Sequence, residues 1–570
     1  MIREKIQHAL EKALTDKGFS LPAVSLEYPS HSLFGDYATN VALILGKALG
    51  RNPKEIAEEI VAELQKQKLS EIKSVSVAGA GFINIELSEE FLAGIINDIC
   101  QNKESYGANM EWKEKKVMVE YTDPNPFKEF HIGHLMPNVI GEAITRLYER
   151  SGAEVQRVCY QGDVGLHVAS AVWGMKMLPD EMPKDDQSLK VKVAYLGKAY
   201  ARGAKAYKED KSSEAEIREI NKKIYDKSDE VINTLYQTGR TWSLAYFETI
   251  YERLGTKFDH YFFESEVTPQ GLSLVKQYLQ NGVFEESEGA IIFRGEKYNL
   301  HTRVFINKEG LPTYEGKELG LTFKKFEEYN PDLSIVITAN EQNDYFRVLL
   351  RVIALINESY ASRTTHLSHG ILRLPQGKMS SRTGDVITAE SLIADVSDVI
   401  RSKMKNEAIE TKVKEKIVEE IAIGAIKFTI LRQSVGKDII FDFEKSLSFE
   451  GDSGPYLQYT AVRANSVLEK ARTQKKEPSS LSTIPTHAEE VARILLRFPE
   501  IVMRAGKERA PQLLVTYLLE LAASFNAYYA ANHILDDSSE APARSRLVAA
   551  PRITLTNGLS VLGIPVPVQM

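Results

Sequence analysis

Lys116-Val117-Met118-Val119-Glu120-Tyr121 reads as a short apolar strand, and Thr122-Asp123-Pro124-Asn125-Pro126-Phe127 as a Pro/Asn-rich loop. Phe130-His131-Ile132-Gly133-His134-Leu135 follows, and a helix is predicted to begin near His134. Strand, loop and helix N-terminus in that order form the building unit of a nucleotide-binding parallel sheet. A helix start offers unpaired N–H groups and the positive end of the helix dipole, both of which attract phosphate. Gly133 lacks a Cβ and lets a nucleotide approach the backbone, while the imidazoles of His131 and His134 can bond a phosphate oxygen. Two other readings of the histidines are a chance His-x-x-His and a metal pair. The pair lacks the four-residue spacing and flanking glutamate of a helical zinc site, and no metal ligand set is assigned.

Outward from this unit, the pattern divides the 570 residues into four regions. Residues 1–110 show helical stretches around Phe34-Gly35-Asp36-Tyr37, then a strand-like run from Val75 to Leu87 broken by Gly79 and Gly81, so an α+β domain is expected. Residues 111–388 are expected to hold the α/β parallel-sheet domain, with a charged helical insertion near 180–260. Strand-like Ala290-Ile291-Ile292-Phe293 and Leu333-Ser334-Ile335-Val336-Ile337-Thr338 are expected to resume the α/β core after that insertion. From Ala389 onward apolar residues fall at helical spacing, giving a helical connector over 389–450 and an all-helical domain over 451–570. Lys475 to Thr486 has the composition of a linker between helices.

Composition narrows the class. With 43% hydrophobic and 26% charged residues the chain can bury real cores, which excludes a disordered or fibrous protein. No apolar run is long enough to span a bilayer, and the N-terminus reads as an amphipathic helix rather than a signal peptide. Cys100 and Cys159 are too few for a disulfide framework or a four-ligand zinc site, so a reducing cytoplasm is expected and both thiols read as packing residues. A net charge of −7 alone argues against a nucleic-acid binder, yet the last thirty residues carry three arginines and no acid. Charge leaves the partner undecided.

A second signal lies beyond the insertion. Leu374-Pro375-Gln376-Gly377-Lys378-Met379-Ser380-Ser381-Arg382-Thr383-Gly384 brackets a lysine and two hydroxyls with glycines, a loop able to carry a cation and donors to a polyphosphate. Alone it reads as a solvated loop. Together and in this order, His-Ile-Gly-His and Lys-Met-Ser-Ser resemble the signatures of class I aminoacyl-tRNA synthetases. The flanks narrow the resemblance to arginyl-tRNA synthetases: Val119 to Pro126, Tyr160-Gln161-Gly162-Asp163-Val164-Gly165, Phe258-Asp259-His260-Tyr261, Gly454-Pro455-Tyr456-Leu457-Gln458-Tyr459 and Asp36-Tyr37-Ala38-Thr39-Asn40 all match. The match runs along essentially the whole chain.

The resemblance implies a Rossmann-like catalytic domain, an N-terminal domain that touches tRNA and a helical anticodon-binding domain. It implies an arginine–tRNA ligase that makes arginyl-adenylate from L-arginine and ATP, accompanied by Mg2+, then transfers arginine to the 3′-terminal adenosine of tRNA(Arg). His131, Gly133, His134, Lys378, Ser380 and Ser381 match the catalytic positions, and His131, Gly133, His134, Lys378 and Met379 those that bind ATP. Glu120, Asp123, Pro124, Asn125, His134, Tyr314, Glu318 and Gln342 match the arginine site, where acids and a tyrosine hold the guanidinium. Glu318 departs from the family's common aspartate, which keeps the charge and changes its reach. Tyr456, Gln458, Tyr459, Arg463, Tyr528 and Asn532 are candidate tRNA contacts, because aromatics stack on unpaired bases and arginine pairs with phosphate. The family further implies a cytoplasmic monomer with no membrane contact, whose adenylate formation waits for tRNA. Two other classes stay open at this point: a cysteine-specific relative, which would want zinc-binding cysteines, and a non-catalytic RNA-binding paralogue, which would be expected to lose one signature.

Overall fold

The computed structural model describes residues 1–20, 23–29, 34–375, 387–404 and 410–570. The N-terminal region packs helices Ile2–Asp16, Val41–Leu49 and Pro53–Lys66 around a three-stranded antiparallel sheet. Its strands β1 (Tyr37–Thr39), β2 (Ile72–Ala78) and β3 (Phe82–Leu87) run in the order β1-β3-β2. The broken run Val75–Leu87 is thus a hairpin. Gly79 and Gly81 make its turn at φ +53° and +127°, where only glycine is comfortable.

A five-stranded parallel sheet forms the centre. β4 (Lys116–Glu120) pairs with β5 (Glu154–Gln161), and β5 with β6 (His260–Phe263). Helices Leu189–Glu209, Lys211–Asp226 and Glu230–Leu254 fill the space in sequence between β5 and β6 and bury a core of their own around Trp173, Tyr195, Ile217 and Trp242. That core is locked to the sheet domain by glycines. A Cβ on Gly174 would come within 1.9 Å of the Ala199 carbonyl, so helices Leu166–Lys176 and Leu189–Glu209 touch backbone to backbone.

β7 (Glu285–Ser287), β8 (Ala290–Phe293) and β9 (Arg303–Ile306) form a separate antiparallel sheet. The expectation that Ala290–Phe293 resumes the parallel core is therefore corrected. A four-residue apolar run looks the same in either kind of sheet, and the strand that rejoins the core is His260–Phe263. β10 (Leu333–Ala339) and β11 (Thr364–His369) complete the parallel order β11-β10-β4-β5-β6. The chain leaves β4 toward β5 on one side and returns as β10 on the other. The crevice beyond the carboxyl ends of β4 and β10 is thus the switch point at which open parallel sheets bind ligands.

β12 (Leu372–Arg373) and β13 (Ile439–Ile440) pair in parallel and tie the sheet domain to the helical connector. Beyond it, the apolar run Ala488–Ile501 divides into Glu489–Leu496 and Phe498–Glu508, with Pro499 in the first turn of the second helix. Glu500 in that second helix accepts hydrogen bonds from Arg3, Tyr28 and Tyr37, fastening the N-terminal region to the helical one. No helix among the described residues is long and apolar enough to cross a membrane.

Candidate active site

A cavity of about 560 Å3 opens at the switch point. Its walls include Glu120, Asp123, Asn125, Gly133, His134, Tyr314, Glu318 and Gln342 from the sequence-predicted set. Pro124 is buried in the same loop but is not on the wall. Lys378, Met379, Ser380 and Ser381 lie outside the described residues.

The loop after β4 holds an unusual backbone. Thr122, Asp123 and Phe127 have φ of +82°, +42° and +68°, a region that β-branched and bulky residues avoid. Surrounding bonds hold it there. Asn138 donates to the Thr122 hydroxyl at 3.0 Å, Thr256 donates to Asn138 at 3.0 Å, and the Phe127 N–H donates to Ser243 Oγ at 2.9 Å. Strain that is held in place by many contacts is characteristic of ligand sites. Asn125 lies against Gly162, where a Cβ would come within 2.3 Å of Asn125 Oδ1.

The signature helix spans Ile132–Arg150, so it starts two residues before the predicted His134. His131 is its N-cap, and its Nδ1 accepts the Gly133 N–H at 3.0 Å, which requires that nitrogen to be unprotonated. His134 stacks on His131 with ring centroids 3.8 Å apart, and its Nδ1 is buried without a hydrogen-bond partner among the described residues. Burial pushes both imidazoles below their ordinary pKa, His134 well below, and Lys128 adds to the effect on each. Both rings are neutral at physiological pH and can donate from Nε2.

The first signature pairs with residues 387–389. The Ile132 N–H donates to the Ile387 carbonyl at 3.0 Å, and Ala389 donates to the Phe130 carbonyl at 2.9 Å. Ile387 to Ala389 therefore run directly against the His131 segment, with His131 and Thr388 paired antiparallel. A second hollow of about 380 Å3, lined by Ile132, Gly133, Met136, His369, Leu372 and Ile387 among others, adjoins the first and shares Gly133, Ala339 and His369 with it.

The opposite end of the cavity is acidic. Glu120 is 1% and Glu318 7% exposed. Glu120 forms an ion pair with the buried Lys325, seven residues and two turns along the helix Tyr314–Tyr329 from Glu318. Glu318 Oε1 has no hydrogen-bond partner among the described residues. Burial and the neighbouring Glu120 charge push its pKa up to about 8. Asp123 is also raised well above the carboxylate range by burial and Glu120, although its Oδ1 accepts the Tyr160 N–H at 2.7 Å. Lys325 balances Glu120 alone, so ionising Glu318 or Asp123 calls for a further cation from a ligand. Tyr314, one turn before Glu318, is 66% exposed and stands on the rim.

Residues to which the sequence reading gave no site role also line the cavity: Tyr160, Glu264, Arg303, Tyr345 and His369. Glu264 directly follows β6 and pairs with Lys317 at 2.6 Å, and an acid at the carboxyl end of a parallel strand is the signal that pointed to it. Lys325 was missed, although its seven-residue spacing from Glu318 on one helix is a signal that could have found it. Arg303 carried no such signal, because β9 belongs to the separate sheet.

In the helical domain two candidate RNA contacts are corrected. Gln458 is fully buried, and its amide donates to the carbonyls of Glu420 at 3.0 Å and Pro565 at 2.7 Å. Tyr528 is 5% exposed and packs in the core. The packing of their helices turns both inward. Asn532 donates to the Tyr528 carbonyl at the end of its own helix, and the Tyr456 hydroxyl accepts from Asn526. Tyr459 and Arg463 remain at the surface as a cation–π pair at 4.6 Å, with Tyr529 on the other side of the guanidinium at 5.7 Å.

Residues 95–443 match the model of "tRNA synthetases class I (R), catalytic domain". The chain belongs to the class I arginyl-tRNA synthetase family. Residues 1–87 match the arginyl-tRNA synthetase N-terminal domain and residues 457–570 the DALR anticodon-binding domain. An arginine–tRNA ligase of Clostridioides difficile is 30% identical over 573 residues, covering 99% of each chain. One of Borrelia turicatae is 28% identical over 582 residues, covering 99% of this chain and 98% of its own. In fold, the chain is similar to Thermus thermophilus arginyl-tRNA synthetase, with a TM-score of 0.82 at 24% identity and full coverage of both chains. The Plasmodium falciparum arginyl-tRNA synthetase gives 0.79 at 20% identity, covering 100% of this chain and 99% of its own. Family membership makes the chain an arginine–tRNA ligase, a class I synthetase that uses ATP and binds tRNA through an anticodon-binding domain.

Proposed function

We propose that the buried acids read the guanidinium of L-arginine and that the two neighbouring hollows align arginine and ATP for in-line attack. The observation that carries this is Glu318, a buried carboxylate with an unpartnered oxygen beside Glu120. A guanidinium supplies planar paired donors to carboxylates, whereas a neutral side chain would leave the free Glu318 oxygen desolvated and unpaired. Asp123 adds charge, and Tyr314 closes over the side chain from the rim. Asn125 and Gln342 hold the α-amino and α-carboxylate groups.

The arginine carboxylate then attacks the α-phosphorus of ATP. A carboxyl O–P bond forms, the bond to pyrophosphate breaks, and the substrate supplies the nucleophile, so positioning and charge stabilisation provide the catalysis. Neutral His131 and His134 donate to phosphate oxygens, Gly133 lies under the adenosine, and Lys378 with Met379, Ser380 and Ser381 closes on the pyrophosphate. Mg2+ accompanies ATP as part of the substrate. The terminal adenosine of tRNA(Arg) next attacks the acyl carbonyl through its 2′-hydroxyl and releases AMP. Arg463 with Tyr459 contacts the anticodon arm, and the protein works as a cytoplasmic monomer.

ATP–pyrophosphate exchange with all twenty amino acids, with and without tRNA, tests the reading. Exchange confined to arginine and lost in Glu318→Gln supports it. Full activity in that variant would contradict it.

A further inference from the structure

The helix Ile132–Arg150 carries His131 and His134 at one end and Glu142 and Arg146 further along. Glu142, 2% exposed, accepts from the Tyr121 hydroxyl at 2.7 Å, Arg146 Nε at 2.7 Å and Arg157 Nε at 3.3 Å. Tyr121 is the residue after Glu120, and its side chain packs against Gly141, where a Cβ would come within 2.2 Å of Tyr121 Cγ. Arg146 directs its remaining donors to the carbonyls of Gly255 and Ser560, each at 3.0 Å. Gly255 closes the insertion helix Glu230–Leu254, and Ser560 lies in the last turn of Ala541–Val561, the final helix of the chain.

A second basic group repeats the pattern, with burial pulling its pKa down to about 7. Lys427, 1% exposed on the connector helix Thr411–Leu431, donates to the carbonyls of Leu254 and Gly563, each at 2.6 Å. The carboxyl ends of two helices thus converge, and each basic group bridges them. Helix C-termini carry unpaired carbonyls and the negative end of the dipole, so cations are favoured there. A hollow of about 750 Å3, bounded by Arg146, Lys416, Ile423 and Ile564 among others, opens beside the junction. Beside that hollow, the seam is bridged by these hydrogen bonds.

We propose that Arg146 and Lys427 are positioning residues that couple the seating of the helical domain to the arginine cavity. The route runs from the Ser560 carbonyl through Arg146 and Glu142 to Tyr121, and so to its neighbour Glu120. A shift of the final helix re-aims Arg146, which changes the grip of Glu142 on Tyr121 and moves the carboxylate that meets the substrate. The inference rests on the reaction assigned above and on the anticodon-binding match over residues 457–570.

The test charges tRNA(Arg) transcripts with native and altered anticodons, using wild type, Arg146→Gln, Lys427→Met and Tyr121→Phe. In wild type the altered anticodon lowers kcat. With native tRNA the variants are expected to lose about tenfold in kcat, the usual scale of coupling between sites. Their KM for tRNA stays within about twofold of wild type, since anticodon contacts are intact. The anticodon penalty on kcat shrinks in each variant, which a merely structural defect would not cause, because partial unfolding lowers charging of both transcripts alike. Tyr121→Phe keeps the ring against Gly141 and serves where a charge substitution fails to fold. An anticodon penalty on kcat unchanged in Tyr121→Phe and the folded charge variants overturns the proposal, as does a wild type whose kcat ignores the anticodon. A wild type that charges no tRNA would instead refute the assigned reaction.

Discussion

The Lys325 ammonium pairs with the Glu120 carboxylate at the cavity wall, with both side chains 2% exposed. Removing one member of such a pair leaves the other charge buried alone, at a cost of about 3–5 kcal/mol. Lys325→Met is therefore expected to lose that much stability in chemical denaturation. Bound arginine would supply the missing cation, so saturating arginine should raise the Tm of the variant more than that of wild type. Equal shifts would show that the guanidinium does not reach Glu120.

Glu318 gives the pH dependence. Its folded pKa is raised from 4.5 to about 8, so burying its charge costs stability that grows as pH rises from 4.5 to about 8. The empty protein is expected to lose stability over that window, and arginine to restore it. Because the guanidinium favours the ionised acid, arginine binding should release a proton near pH 7 and tighten up to about pH 8. Calorimetry in buffers of different ionisation enthalpy measures the proton. Glu318→Gln should abolish the release and weaken binding by about 1.5–3 kcal/mol, the scale of a hydrogen bond to a charged group.

Gly162 is the counterpart at the other end of the amino acid. Gly162→Ala would push its Cβ into Asn125 Oδ1, which lies 2.3 Å from that position. Asn125 must turn away, so KM for arginine is expected to rise about tenfold or more, the cost of about one hydrogen bond to a charged group. The Tm should fall little, because the loop is held by Asn138 and Ser243 instead.

Gln458 and Arg463 separate packing from recognition in the helical domain. Gln458→Leu leaves the Pro565 carbonyl without this partner and removes a second bond from the helical Glu420 carbonyl, and should cost about 1–3 kcal/mol of stability, with KM for tRNA unchanged in the folded fraction. Arg463→Ala should leave Tm nearly intact and weaken tRNA binding by about 1 kcal/mol or more, as loss of stacking and phosphate contact does.

Much of the site was readable because its chemistry is local. Lys116–Leu135 alone specifies a strand, a tight loop and a helix N-terminus, and the structure forms all three. Glu318 was reachable through the family pattern, yet its unpartnered oxygen depends on how Lys325 engages Glu120, a contact between elements far apart in sequence. Gln458 and Tyr459 are adjacent and equally polar in the sequence. Only the packing of the C-terminal tail against Gln458 shows which one faces inward. The Ala290–Phe293 strand failed for a related reason, since pairing partners decide the sheet and a short apolar run does not name them.

The most direct test of the acid cavity is the charging of tRNA with arginine, lysine and citrulline, compared by kcat/KM on the wild-type protein. Citrulline keeps the length and shape of arginine without its positive charge. A site built around Glu120 and Glu318 should reject it by about 10⁴-fold or more, because Glu120 has only Lys325 and Glu318 would be left without a cation. Citrulline charged within tenfold of arginine would contradict the reading that these acids select the substrate.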